Sequence, residues 1–152
     1  MWQRTDEIFL SQGKYTIEIL KKFRMTDCKS MPTPMVMNLK KLSETSSDSA
    51  NIDPHLYRQL IGSLMYLVNT RPDICYVVSV LNQFINQSRQ THWIAVKHVL
   101  RYLRGTVGYG LRHASSVDMR LQGYADSDWA GSAMDRKSTF GCCFTLGSAM
   151  VS

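Results

Sequence analysis

The run Gly123-Tyr124-Ala125-Asp126-Ser127-Asp128-Trp129-Ala130-Gly131 marks where this chain changes architecture. Before it, apolar residues recur at helical spacing. Around and after it the segments are short, alternating and bounded by glycine, which is the pattern of strands and turns. Asp126 and Asp128 stand two apart in a strand-like segment, so their carboxylates share a face. Two carboxylates hold a hydrated cation only weakly, and two-metal hydrolysis needs a fixed constellation of several. The glutamates are Glu7, Glu18 and Glu44, and no acidic residue follows Asp135.

Working back from this run, Thr91 opens a helix carrying Trp93, Ile94, Val96, Val99, Leu100 and Leu103, with Gly105 placed to end it as a left-handed cap. Asp53 and Pro54 form an N-cap and first-turn proline for a helix carrying Leu56, Leu60, Ile61, Leu64, Met65, Leu67 and Val68. Arg71-Pro72-Asp73 breaks that helix and starts another through Ile74, Val77, Val78, Val80, Leu81, Phe84 and Ile85. Near the N-terminus, Ser11 is the expected cap of a short amphipathic helix with Tyr15, Ile19, Leu20 and Phe23 on its apolar stripe. Between Asp27 and Ala50, Pro32, Pro34 and the Ser/Thr-rich run read as a linker. Forward from Gly110, the segments GLRH, MRLQGYAD, TFGCCFTLG and AMVS read as an antiparallel meander. Its open face is expected to carry Phe140, Phe144 and Leu146, alternating with Cys143 and Thr145. The expected fold class is α+β, with a small helical bundle over residues 1–108 and an incomplete β-meander over 109–152.

With 152 residues, 44% of them hydrophobic, the chain is long enough to bury a core. A formal net charge of +6 favours acidic partners such as nucleic acid or an anionic surface. Cys28, Cys75, Cys142 and Cys143 form no Cys-x-x-Cys pair, and the four histidines lack partners at zinc-ligand spacing. No metal site is expected, nor a signal peptide or membrane-inserted segment.

Four segments in fixed order, LSQGKYTIEILKKF, YRQLIGSLMYLVNTRPDI, HWIAVKHVLRYLRGT and GYADSDWAGSAMDRKSTFG, resemble the polyprotein of copia-type retrotransposons. The likeness covers the end of its reverse transcriptase and the start of its ribonuclease H. It implies a thumb- and connection-like helical region followed by a truncated ribonuclease H-like sheet. Asp126 then matches the first metal-binding aspartate of the ribonuclease H strand. Asp128, Trp129 and Asp135 to Thr139 match the signature around the next turn. The polymerase aspartates and the remaining ribonuclease H carboxylates fall outside the resembling segments, so no catalysis is expected and Asp126 is read as vestigial. Mg2+ belongs to the intact ancestral enzyme, and no cofactor is expected here. The same resemblance makes Lys21, Lys22, Arg24, Lys40, Lys41, Lys97, Arg101 and Arg104 candidate contacts to nucleic acid, with Trp93 as a stacking surface.

Arg101-Tyr102-Leu103-Arg104 also fits the R-x-L-R pattern of oomycete effectors, without a signal peptide ahead or a Glu-Glu-Arg run behind. The chain is similar to retrotransposon-like proteins catalogued as secreted RxLR effectors of downy mildews. That similarity implies a non-catalytic interaction protein, secreted into a plant cell. There it would bind a host plant protein in nucleus or cytoplasm and suppress defence-related cell death. A residual nucleic-acid-binding fragment, or an inert one, of a retrotransposon reverse transcriptase and ribonuclease H is the alternative.

Overall fold

A computed structural model describes residues 1–35, 52–114, 120–127 and 140–150. The fold is α+β, with four α-helices and two small antiparallel sheets among the described residues. The chain divides into a helical unit, residues 12–109, and a β unit formed by residues 1–11 and 110–152.

In the helical unit, α1 (Gly13–Lys22) buries Thr16, Ile19 and Leu20, while Tyr15 and Phe23 of the stripe read from the sequence pack half-buried against the core. Its N-cap is Gln12 and not Ser11. The Gln12 carbonyl accepts both the Thr16 N–H at 2.9 Å and the Thr16 hydroxyl at 3.0 Å, so the helix is held without a serine cap. Asp53 does cap α2 (Pro54–Val68), its Oδ1 accepting the His55 N–H at 2.9 Å, while Pro54 fills the first turn where an N–H has no helical partner. Helix α2 buries Tyr57, Leu60, Ile61, Leu64 and Leu67. After a 3₁₀ turn, Pro72–Ile74, helix α3 (Cys75–Asn82) adds Val77, Val78 and Leu81, and α4 (Gln90–Gly105) adds Val96, Val99, Leu100, Tyr102 and Leu103. These side chains form one core, each large apolar one contributing about 1.5–3 kcal/mol by leaving water.

Gly105 is the last residue of α4 and is not left-handed, since positive φ belongs among the described residues to Arg24 and Gly147. Its glycine has another cause. A Cβ there would lie 3.0 Å from the Ser30 Cβ, so the bare residue lets the segment after α1 pass close to the helix end.

Among the described residues, the most deeply buried charged side chain paired with a carboxylate is Arg71, only 2% exposed. Its Nε and Nη2 donate to Asp73 Oδ1 and Oδ2 at 3.0 and 2.7 Å. Nη1 reaches the Thr106 carbonyl at 2.9 Å, and Nη2 also reaches the Thr106 hydroxyl at 2.7 Å. The rings of Tyr102 and Tyr109 lie 5.5 and 5.4 Å from the guanidinium carbon. Tyr102 donates its hydroxyl to Asp73 Oδ2 at 2.7 Å. One side chain thereby ties the α2–α3 break to the end of α4.

In the β unit, β1 (Trp2–Gln3), β2 (Glu7–Leu10) and β3 (Leu111–Ala114) form a sheet in that order. Residues 1–11, read from sequence as part of the helical region, thus pair with the chain after Gly110. The second sheet has order β4 (Leu121–Ser127), β5 (Phe140–Leu146), β6 (Ala149–Met150), with register running from Leu121↔Leu146 to Ser127↔Phe140. This is the expected meander without GLRH, which joins the N-terminal hairpin instead. Leu121, Tyr124 and Phe144 are exposed on it, whereas Leu146 is partly covered. The Phe140 side chain lies outside the described residues.

Burial raises the Asp73 pKa, but the bonds from Arg71 and Tyr102 and the Arg71 charge outweigh it, holding the carboxyl below its ordinary range. A depressed folded-state pKa stabilises above the unfolded value of about 3.8, and that contribution disappears as pH falls through the folded value. Urea titrations below pH 4 should therefore lose stability in wild type and show a flatter acid limb in Asp73→Asn. Arg71→Ala should cost about 2–3 kcal/mol at neutral pH, under the full cost of breaking a wholly buried pair because the Asp73 side chain is 35% exposed.

Candidate nucleic-acid interface

Lys21 and Lys22 stand in the last turn of α1 and Arg24 just beyond it, where cations complement the negative end of the helix dipole. Lys21, Lys22 and Arg24 are all exposed. The helix closes in a Schellman turn, with Met25 N–H bonded to the Leu20 carbonyl at 2.7 Å and Arg24 N–H to the Lys21 carbonyl at 3.1 Å. Arg24 takes the left-handed position with φ 55°, a conformation costing a residue with a Cβ about 1 kcal/mol.

On α4, the Lys97 ammonium lies 5.4 Å from the centre of the Trp93 ring, which packs half-buried against the core. Trp93 is thus both core edge and cation platform. The neighbouring R-x-L-R run is engaged internally. Arg101 Nε donates to the Lys29 carbonyl at 2.9 Å, Arg104 Nε to the Thr26 carbonyl at 2.6 Å, and Tyr102 and Leu103 are buried. One turn earlier the His98 Nε2–H meets the Thr33 carbonyl at 3.0 Å, and Met31 N–H returns a bond to the Arg101 carbonyl at 3.2 Å. Residues 26–33 therefore run as a strap along α4, laced by side chains three apart.

A further face was not read from the sequence. Gly62 lies mid-way along α2, and a Cβ added there would meet nothing within 4 Å. Arg58 and Tyr66, four residues before and after it, share its side of the helix, with Gln59 and Met65 beside them. Tyr66 is 57% and Met65 51% exposed. Tyr66 packs edge-on against Tyr15 of α1 at 5.0 Å between ring centres, and Lys22 stands two turns further along α1 on that side. The legible signal was a glycine inside a helical pattern, which costs stability unless something uses the space.

Strand β4 places Asp126 opposite Gly141 of β5. The Asp126 side chain, and Asp128, Trp129, residues 135–139, Lys40 and Lys41, lie outside the described residues. Among the described residues, no group of three or more His, Cys, Asp or Glu is placed to hold a metal, and no helix is long and apolar enough to cross a membrane.

The chain is 40% identical over 151 residues to the retrovirus-related Pol polyprotein from transposon TNT 1-94 of Nicotiana tabacum, covering 96% of this chain and 11% of the polyprotein. It is 39% identical over 145 residues to an uncharacterized mitochondrial protein of Arabidopsis thaliana, covering 95% of this chain and 59% of that protein. The chain belongs to the retrovirus-related Pol polyproteins of copia-type retrotransposons. It spans only about a tenth of the length of the Pol polyproteins it matches. The secreted RxLR effector protein 161 of Plasmopara viticola also matches, 46% identical over 97 residues, 63% of this chain and 68% of the effector. No family model and no solved structure matches.

In this Pol segment the strap gives a direct expectation. Arg101→Ala and Arg104→Ala should each cost about 1 kcal/mol, the worth of one hydrogen bond. Amide hydrogen exchange at residues 26–33 should quicken before that of the α2 core amides, whereas uniform quickening would mean the arginines support the whole core.

Proposed function

We propose that the helical unit of this Pol segment holds a template–primer duplex, serving binding and not bond cleavage. The observation that carries the reading is the bare backbone at Gly62 between Arg58 and Tyr66 on the outer face of α2. A mid-helix glycine costs about 0.5–1 kcal/mol relative to alanine, and here no packing within the unit requires it. A helix without a side chain at that point can lie close against a broad, shallow surface. The minor groove of an A-form-like RNA–DNA hybrid is such a surface. Arg58, Lys21, Lys22, Arg24 and Lys97 supply exposed positive charge for phosphates.

A second reading is favoured by the effector's 46% identity: a secreted RxLR-type protein that acts on a host protein inside plant cells and dampens defence-related cell death. The bonds of Arg101 and Arg104 to the strap support the first reading, because they give the two arginines of the run a structural use through Nε. Expression inside leaves separates the two. Suppression of defence cell death that survives loss of duplex binding would support the effector.

For the duplex, Gly62→Ala should raise stability by about 0.5–1 kcal/mol while weakening affinity for an RNA–DNA hybrid, and Gly62→Val should weaken it further. Neutralising Lys21, Lys22, Arg24 and Lys97 together should make the salt dependence shallower, by roughly 0.9 in log–log slope for each phosphate left without its cation. Unchanged affinity in both series, measured by fluorescence anisotropy at low salt, would remove the proposal.

A further inference from the structure

Within the β unit, register brings three side chains from three strands into one row. Trp2 of β1 faces Phe9 of β2, and Phe9 faces Arg112 of β3. The Trp2 and Phe9 rings lie 5.5 Å apart at 32°, and the Arg4 guanidinium sits 5.0 Å from the centre of the Trp2 ring. Trp2 is 44% exposed although it belongs to the residue type with most to gain from burial. At the other end of the row, Arg112 donates its Nε to Glu7 Oε2, yet its side chain stays 71% exposed while that of Glu7 is 8% exposed. The buried carboxylate thus anchors an arginine most of whose side chain stays open to solvent.

We infer that this face of the N-terminal sheet is a stacking platform for single-stranded nucleic acid. Two adjacent aromatic rings, one with the Arg4 guanidinium over it and the other beside Arg112, match a ligand that alternates flat bases with phosphates. The bases stack on Trp2 and Phe9, and Arg4 and Arg112 meet the backbone. A duplex keeps its bases stacked on one another and has no free base to offer the rings, so the platform takes unpaired nucleotides. A purely apolar ligand gains nothing from the two arginines. The platform lies wholly in residues 2–9 and 112 and does not depend on the duplex-binding face of α2.

The test is anisotropy of a fluorescein-labelled oligothymidylate titrated with the full chain at low salt. Trp2→Ala and Phe9→Ala should each weaken binding roughly tenfold, the loss typical of one stacked base. Trp2→Phe should recover most of it, and Arg4→Gln should flatten the salt dependence. Gly62→Val should leave this affinity unchanged, so that failure here and failure of the duplex reading are seen separately. Equal affinity of wild type and Trp2→Ala overturns the inference. So does Trp2→Phe failing to recover binding, which would make the tryptophan a fold requirement. Equally strong competition by an uncharged proline-rich peptide would reassign the face to peptide recognition and overturn it as well.

Discussion

An arginine with nearly all of its surface buried is costly unless its donors are met, and Arg71 places four of its five N–H groups on partners drawn from two distant parts of the chain. Asp73 supplies a bidentate carboxylate from two residues away. Thr106 supplies a carbonyl and a hydroxyl from beyond the end of α4. The Thr106 hydroxyl in turn donates to the Tyr102 carbonyl at 2.9 Å, so it accepts from the cation and donates to the helix it follows. Neither the break after α2 nor the termination of α4 can shift by a residue without stranding a buried charge, a penalty larger than most single apolar contacts. The apolar core makes the helical unit stable, and this ion pair sets its register.

That constraint explains why the sequence was readable in some places and opaque in others. Asp53-Pro54 and Arg71-Pro72-Asp73 were legible because capping and proline chemistry are local. The stripes of α1, α2 and α4 were legible because burial follows the helical period, although Leu56, Met65 and Ile94, read as part of them, stand exposed. The Met1–Ser11 hairpin was not, since β1 has two residues and β2 four, too short for alternation to register, and their partner lies about a hundred residues away in β3. Gly105 carried the composition of a cap but answers to the passage of Ser30, a neighbour far away in sequence. The basic candidates Lys21, Lys22, Arg24 and Lys97 came from the resemblance to the polyprotein and are exposed. Arg101 and Arg104 came from the same resemblance, but their partners are backbone carbonyls of a strap that no periodicity reveals.

The strap also changes what the R-x-L-R run means physically. A tetrapeptide read as a motif is assumed to offer its two arginines outward. In this helix the arginines lie three apart and reach the carbonyls of Thr26 and Lys29, also three apart, and His98 continues the row to Thr33. Backbone carbonyls in an irregular segment need donors, and a helix bearing donors at every third position satisfies them in sequence. The same spacing that makes the motif match a pattern makes it a lace, and a single tetrapeptide match carries little weight beside that accounting.

Two positions of the helical unit run against the rules that stability alone would impose. Arg24 occupies the left-handed residue of a Schellman turn, where glycine is the favoured occupant, and Gly62 occupies the middle of α2, where almost any other residue is better. Exchanging the two preferences would gain on the order of 1 kcal/mol at each site without disturbing a buried side chain. Both residues are exposed, so packing does not explain either choice. Each removes or adds a side chain at the surface in the sense a polyanionic partner would favour: a cation where glycine would leave none, and open backbone where a side chain would hold a groove away. Local rules broken on the surface, in a unit whose interior largely obeys them, are what the proposed duplex-binding face rests on.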